Sequence, residues 1–348
     1  MTALHRAGMF FGLLDELASD DRVTDIAVTC EGRVWADRGS GMREHILQVP
    51  FRSPQVVRDY AVQLCAQLGR RLDDACPIAD ASNMHGVRVH AVIAPLVPQG
   101  ASISIRFPGS EVASLQRLAQ LGMFPAGWIS VLSGLVSKRA AVLITGGTGV
   151  GKTTLAKALL AQCDANDRIV TVEEVRELVD FGHGNHVSMA AREANVEGEG
   201  AVGLPDLVKA TLRMRPDRVV LGECRGEEIV DLLRAFNSGH RGGMTTLHAN
   251  SVAQVPQRLI ALGLLAGVAP RALAMLAEGA FDAVLHLERV DGRRHIAQIG
   301  TLHASYGELQ GVPLVAWDGS AELDIHLSGV ISRHCGAVAR GVGYCSGV

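Results

Sequence analysis

The sequence predicts an α/β protein in which a small α+β domain precedes a larger domain built on a parallel sheet. Three observations predict it. Before about residue 108, short runs alternate apolar and polar residues with period two, as half-buried antiparallel strands do. From residue 140 on, four short apolar runs lack that alternation, as strands covered on both faces require. Helical segments separate those four runs, and strand–helix alternation builds a parallel sheet through right-handed crossovers.

Composition narrows the classes further. A chain of 348 residues is long enough for two or three domains. With 48% hydrophobic and 20% charged residues it is not a disordered protein. A net charge of −3 gives no bulk electrostatic case for nucleic-acid binding. The longest apolar stretch, Leu259 to Leu276, is interrupted by Pro270 and Arg271, so no membrane span is expected. The short apolar run near the start meets Asp15 and Glu16 at once, unlike a signal peptide, which points to the cytoplasm. The seven cysteines form no CxxC pair, so neither a zinc site nor a disulfide framework is indicated.

The elements follow in order. VTDIAVT (23–29) and RVWAD (33–37) flank Cys30-Glu31-Gly32 and read as a hairpin. Ser53-Pro54 opens a helix that Gly69 closes. GVRVHAVIAP (86–95) and ASISIRF (101–107) read as paired strands. Phe107-Pro108-Gly109-Ser110 is the domain boundary, giving an N-terminal domain over 1–108 and a second over 109–317. The buried strands of the second domain are AAVLIT (140–145), RIVTV (168–172), RVVLG (218–222) and MTTLHA (244–249). Helices are expected over Lys152–Gln162, Leu204–Met214 and Glu227–Asn237. FDAVLHLERV and RRHIAQIGTL, joined by Asp291-Gly292, form a second hairpin. The glycine-rich residues 318–348 are assigned no structure.

Gly146-Gly147-Thr148-Gly149-Val150-Gly151-Lys152-Thr153 fits G-x-x-x-x-G-K-T without a mismatch, after an apolar strand and at the start of a helix. Glycines let several backbone N–H groups face one anion, and the helix N-terminus adds partial positive charge. Lys152 is placed to reach the β- and γ-phosphates and the Thr153 hydroxyl to ligate Mg²⁺, with Thr154 completing the nucleotide contacts. The chain is read as binding a nucleoside triphosphate.

Hydrolysis needs a carboxylate near metal and water and positive groups for charge on the γ-phosphate. Glu173-Glu174 follow RIVTV and Glu223 follows RVVLG, at strand ends where open α/β sheets bind ligands. Gly222 stands where the usual second motif of such enzymes has Asp, so metal and water duties are open between Glu173 and Glu223. His248 ends another strand and is a candidate sensor of the γ-phosphate. Arg192, Arg213 and Arg215, and Arg88 and Arg106 on the N-terminal strands, are candidate charge-stabilising arginines, which often come from another subunit or domain.

Four blocks together, GGTGVGKT, RIVTVEEVREL, LRMRPDRVVLGECRGEE and GHRGGMTTLHANS, resemble the Walker A, Asp-box, Walker B and His-box elements of type II/type IV secretion traffic ATPases. The wording is most similar to the tight-adherence (Tad) pilus branch, over roughly Thr24 to Leu302. The resemblance implies a RecA-like P-loop ATPase domain behind an N-terminal domain that covers the nucleotide, with Arg88 and Arg106 reaching its phosphates. It makes Lys152 and Thr153 contacts of ATP and Mg²⁺, Glu173 the Asp-box acid, Glu223 the catalytic carboxylate and His248 the His-box residue. Glu174 stands where the family usually has Asp, and it joins Thr153 and Glu173 as a metal candidate. A homo-hexamer is implied, on the cytoplasmic side of an inner-membrane platform protein, powering pilus assembly or protein secretion. A conjugative type IV secretion ATPase is the alternative within the family, and a nucleic-acid translocase or a nucleotide-gated scaffold lies outside it. The paired CxxC module of general secretion ATPases is absent, which disfavours that branch.

Overall fold

The computed structural model describes residues 8–108, 112–179, 181–192, 194 and 199–319. They fall into two compact units. One holds the described residues before 112 together with Val175–Val179, and the other holds the described remainder. Gly109 and Ser110 of the expected boundary turn, and the tail from 320 on, lie outside the described residues.

The first unit carries a six-stranded sheet: β1 (Asp25–Val28), β2 (Val34–Asp37), β3 (Met42–His45), β4 (Ile78–Ser82), β5 (Arg88–Ile93) and β6 (Ala101–Arg106). The order is β3-β2-β1-β6-β5-β4, antiparallel throughout. The expected β1–β2 hairpin pairs Val28 with Val34 and turns at Gly32, whose φ of +89° suits a residue without Cβ. β5 and β6 pair from Arg88↔Arg106 to Ile93↔Ala101. Their alternation buries Val89, Ala91, Ile93, Ile103 and Ile105 on one face. The helix Pro54–Gln67 starts as its sequence directs. Ser53 Oγ accepts from the Val56 amide at 3.4 Å, Pro54 fills the first turn, and Val57, Ala61, Leu64 and Cys65 are buried in the core beneath the sheet.

The second unit is built on eight strands: β7 (Val142–Gly146), β8 (Ile169–Glu173), β9 (His186–Ala190), β10 (Arg218–Cys224), β11 (Met244–Leu247), β12 (Ala283–Val290), β13 (Arg293–Ser305) and β14 (Glu308–Ala316). Their order is β14-β13-β12-β7-β11-β10-β8-β9. The six strands from β12 to β9 are parallel, and β13 and β14 extend the sheet antiparallel. β7 and β8 are buried at every position, which is why their sequences show no polar alternation. The expected helices are present as Lys152–Leu160, Leu204–Thr211 and Glu228–Asn237.

This order positions the site. The crossover from β7 to β8 passes two intervening strands, β11 and β10, and so leaves a crevice beside β7 at the strand C-termini. Gly146, Glu173, Glu223 and His248 all fall at that edge. Among the described residues no single helix is long and apolar enough to cross a membrane.

Candidate active site

The phosphate-binding loop is shaped by its glycines. Gly146, Gly149 and Gly151 have φ of +146°, +72° and +100°. A Cβ at Gly146 would collide with the Leu287 carbonyl of β12 and lie 2.8 Å from Val150 Cγ2, so the loop's first turn is packed too closely for any side chain. Val150 is itself buried against this glycine and near Gly147. Gly151 then opens the helix Lys152–Leu160, whose free amides and dipole face the concave side of the loop. Thr148, Thr153 and Thr154 lie along the same turn. Lys152 is 8% exposed, and its Nζ donates to the carbonyls of Gly146 at 3.0 Å and Gly147 at 2.8 Å. The loop thus holds the ammonium over its own mouth.

Three strands from β7, at the end of β8, Glu173 explains Gly222. A Cβ at Gly222 would lie 2.7 Å from Glu173 Cγ and 2.9 Å from its Oε1. The Glu173 carboxylate, 3% exposed, therefore fills the place an acid at 222 would take on the neighbouring strand. Thr246 Oγ1 donates to the Gly222 carbonyl at 2.8 Å and ties β11 to the same point.

Glu223 is engaged on both oxygens. His248 Nε2 lies 2.6 Å from Oε1, and Arg225 reaches Oε2 through Nε at 2.7 Å. Arg225 also approaches Glu174 Oε2 at 3.4 Å, leaving Glu174 on the outer, exposed side of the cluster. Burial pushes the His248 pKa below its ordinary value, the nearby Lys152 and Arg225 charges add to this, and Glu223 opposes it. His248 is consequently the neutral donor of its hydrogen bond to Glu223 at neutral pH.

Sequence reasoning missed Arg225 and the residue that fixes it. Glu228, 4% exposed, accepts from the amides of Arg225 at 2.7 Å and Gly226 at 2.8 Å, closing the loop onto the start of its own helix. The signal was present in Arg225-Gly226-Glu227-Glu228, starting two residues after Glu223.

The arginines separate. Arg192 donates to the Gly200 carbonyl at 2.6 Å and bridges Val202 through its backbone, beyond the C-terminal end of the outermost parallel strand. Arg213 and Arg215 are exposed and precede β10, while Glu223 ends it. The five-residue step from Arg218 to Glu223 alone spans roughly 16 Å, so within one chain these two lie at the sheet edge opposite the loop. Arg218 beside them is 2% exposed and structural, held by Asp167 at 2.7 Å and the Val136 carbonyl at 2.9 Å. In the first unit Arg88 pairs with Glu177 at 2.9 Å, and Arg106 lies 4.0 Å from Asp25.

No group of three or more His, Cys, Asp or Glu able to hold a metal occurs among the described residues. The donors present, a Thr153 hydroxyl and one or two strand-end carboxylates, suit Mg²⁺. That ion takes few protein ligands and completes its shell with phosphate and water.

Comparison with known proteins agrees with this geometry. Residues 12–290 match the type II/IV secretion system protein family. A protein of Mycobacterium tuberculosis named for conjugal transfer is 42% identical over 308 residues, covering 86% of this chain and 87% of that one. The type IV secretion system protein PtlH of Bordetella pertussis is 31% identical over 309 residues, covering 80% and 89%. Among solved structures, the pilus retraction motor PilT with bound ADP superposes with a TM-score of 0.58 at 19% identity, covering 82% of this chain and 80% of that one, and so shares the fold.

Proposed function

This chain belongs to the type II/IV secretion system protein family and is one of its ATPases, and we propose that ATP hydrolysis at the β7–β11 crevice makes it a hexameric motor. The carrying observation is convergence. Lys152, the Glu173 carboxylate lying over Gly222, and the Glu223–His248 pair end on one edge of the parallel sheet. In this reading Gly146 to Thr154 cradle the phosphates, and Thr153 and Glu173 hold Mg²⁺, with Glu174 outside them. Glu223 orients the attacking water, and His248 fixes Glu223 and reports the γ-phosphate.

The resemblance assigns Arg88 and Arg106 to the nucleotide's phosphates. Arg213 and Arg215, facing away from their own loop, serve a neighbouring subunit of the ring, and Arg192 acts from the sheet's outer end. The motor's partner is an inner-membrane platform protein, and its work is pilus assembly or protein secretion. The names of the M. tuberculosis and Bordetella relatives favour a second reading, a motor for conjugal or type IV secretion.

Measuring ATP binding and turnover in Lys152→Ala tests the site. Binding or turnover is expected to be lost with the fold retained, because the variant removes the loop's one ammonium from the phosphates. Normal turnover would exclude this loop as the active site.

A further inference from the structure

The hairpin of β12 and β13 stands on the other side of β7 from the acids. Leu287 pairs with Gly146 at the end of the β7–β12 ladder, so residues 288–290 and the turn after them run on beside the phosphate loop. Ile296 N donates to the Met123 carbonyl at 2.8 Å and fixes the returning strand. On that strand Arg294 packs against the loop. A Cβ on Gly151 would lie 3.6 Å from Arg294 Cδ and 3.1 Å from Met123 Cε.

Arg294 is directly opposite Arg289 in the ladder. Opposed residues share a face with Cβ atoms about 5 Å apart, and like charges there repel. Neither guanidinium has a hydrogen-bond or ion-pair partner among the described residues. On the hairpin, Glu288 faces His286 at 3.3 Å, and no ion pair joins Glu288 or Asp291 to either arginine among the described residues. Two uncompensated charges are thus held together beside an anion-binding loop.

The strand order says which part of a nucleotide they meet. His248, Glu223 and Glu173 end β11, β10 and β8, all on one side of β7, while the hairpin continues from β12 on the other. A nucleotide lying along the loop with its γ-phosphate toward the acids has its α-phosphate and base toward Arg289 and Arg294. We propose that Arg289 and Arg294 form a cross-strand clamp for the α-phosphate of the nucleotide. This rests on the nucleotide-binding reading of the loop. The bound anion offsets the repulsion between the two arginines, so the clamp strengthens binding of ADP and ATP alike and takes no part in hydrolysis.

The test compares wild type, Arg289→Ala, Arg294→Ala, Arg293→Ala and Lys152→Ala by calorimetric titration with ADP and with ATP under Mg²⁺, and by thermal melting with and without ADP. Arg293 pairs with Val290 on the opposite face and serves as the control. Each clamp variant is expected to weaken ADP and ATP by the same factor, about 10-fold. Its ligand-free midpoint is expected to stay at or above wild type, and its ADP-induced rise to shrink. Arg293→Ala is expected to match wild type. Wild type that needs Lys152 for ADP, with both clamp variants binding ADP unchanged, overturns the clamp and leaves the loop's assignment standing. Weakened ATP with unchanged ADP overturns it too, since the arginines would then act at the γ end. A wild type that binds no ADP overturns both.

Discussion

Gly222 is the residue whose identity is most tightly tied to another. Its missing side chain is the space Glu173 uses, with Cγ 2.7 Å from where a Cβ would stand. Gly222→Asp is therefore expected to displace Glu173 and Glu173→Ala to remove its charge, each slowing turnover by about 10²-fold, the scale of a lost acid–base or metal contact. The double variant Gly222→Asp with Glu173→Ala restores one carboxylate to the same place and should run at least about tenfold faster than either single variant. A double variant no faster than the slower single one would show that the two positions do not share a carboxylate site. His248 carries a pH prediction. Its pKa lies below the ordinary 6.5, as do those of His186 and His286, mainly through burial. Unfolding then takes up protons once pH falls below about 6.5, because the unfolded imidazoles bind them while the folded ones do not. Stability is accordingly full above that value and declines as pH drops toward the lowered folded pKa values. Melting midpoints should fall from pH 7 to 5.5, and His248→Gln should flatten that decline. An unchanged slope would place His248 in an environment without this penalty.

At the scale of elements, the strands were legible where burial imposes a pattern. β7, β8, β10 and β11 are apolar without alternation because helices or further layers cover both faces. β5 and β6 alternate because only one face meets the core. The strands that escaped are edges. β3 is exposed at three of its four positions, and β9 is half-buried throughout, so neither needs a readable periodicity. β12 read as half of a hairpin, but its first residues also join β7 in parallel, a partner 141 residues away that local pattern cannot reveal. The loop glycines, Lys152, Glu173, Glu223 and His248 were readable because their chemistry attaches to strand ends. The Glu173–Gly222 exchange was not, since it depends on a side chain crossing between neighbouring strands; Arg225 left a local signal in Arg225-Gly226-Glu227-Glu228, but its contact with Glu174 crosses from one strand end to another. Capping, by contrast, is local. Ser53→Ala removes the hydroxyl that accepts from Val56 and should cost about 1 kcal/mol. Denaturant unfolding checks this, and a loss under about 0.3 kcal/mol would mean the helix Pro54–Gln67 is held by its buried face alone.

For the whole molecule, the sheet sorts the arginines by what each can serve. Arg213 and Arg215 occupy the edge away from the loop, and in the proposed ring they act on a neighbouring subunit. Turnover per chain should therefore rise with protein concentration in wild type, and Arg215→Ala should lower the plateau without altering ADP affinity. Concentration-independent turnover by a chain that sediments as a monomer would leave no role for a ring. If, as proposed from the family resemblance, Arg88 and Arg106 act on the phosphates of ATP in its reacting state, Arg88→Ala and Arg106→Ala should slow hydrolysis by more than they weaken ADP binding. All of this depends on Glu223 being the carboxylate that activates water, held by His248 and Arg225 on its two oxygens. The most direct measurement is Mg-ATP affinity together with single-turnover hydrolysis in Glu223→Gln. The amide keeps the shape and loses the charge, so affinity should stay within about threefold of wild type while hydrolysis slows at least about 10²-fold. Near-wild-type hydrolysis in Glu223→Gln, alongside an inactive Glu173→Gln, would contradict the account and give the water-activating role to Glu173.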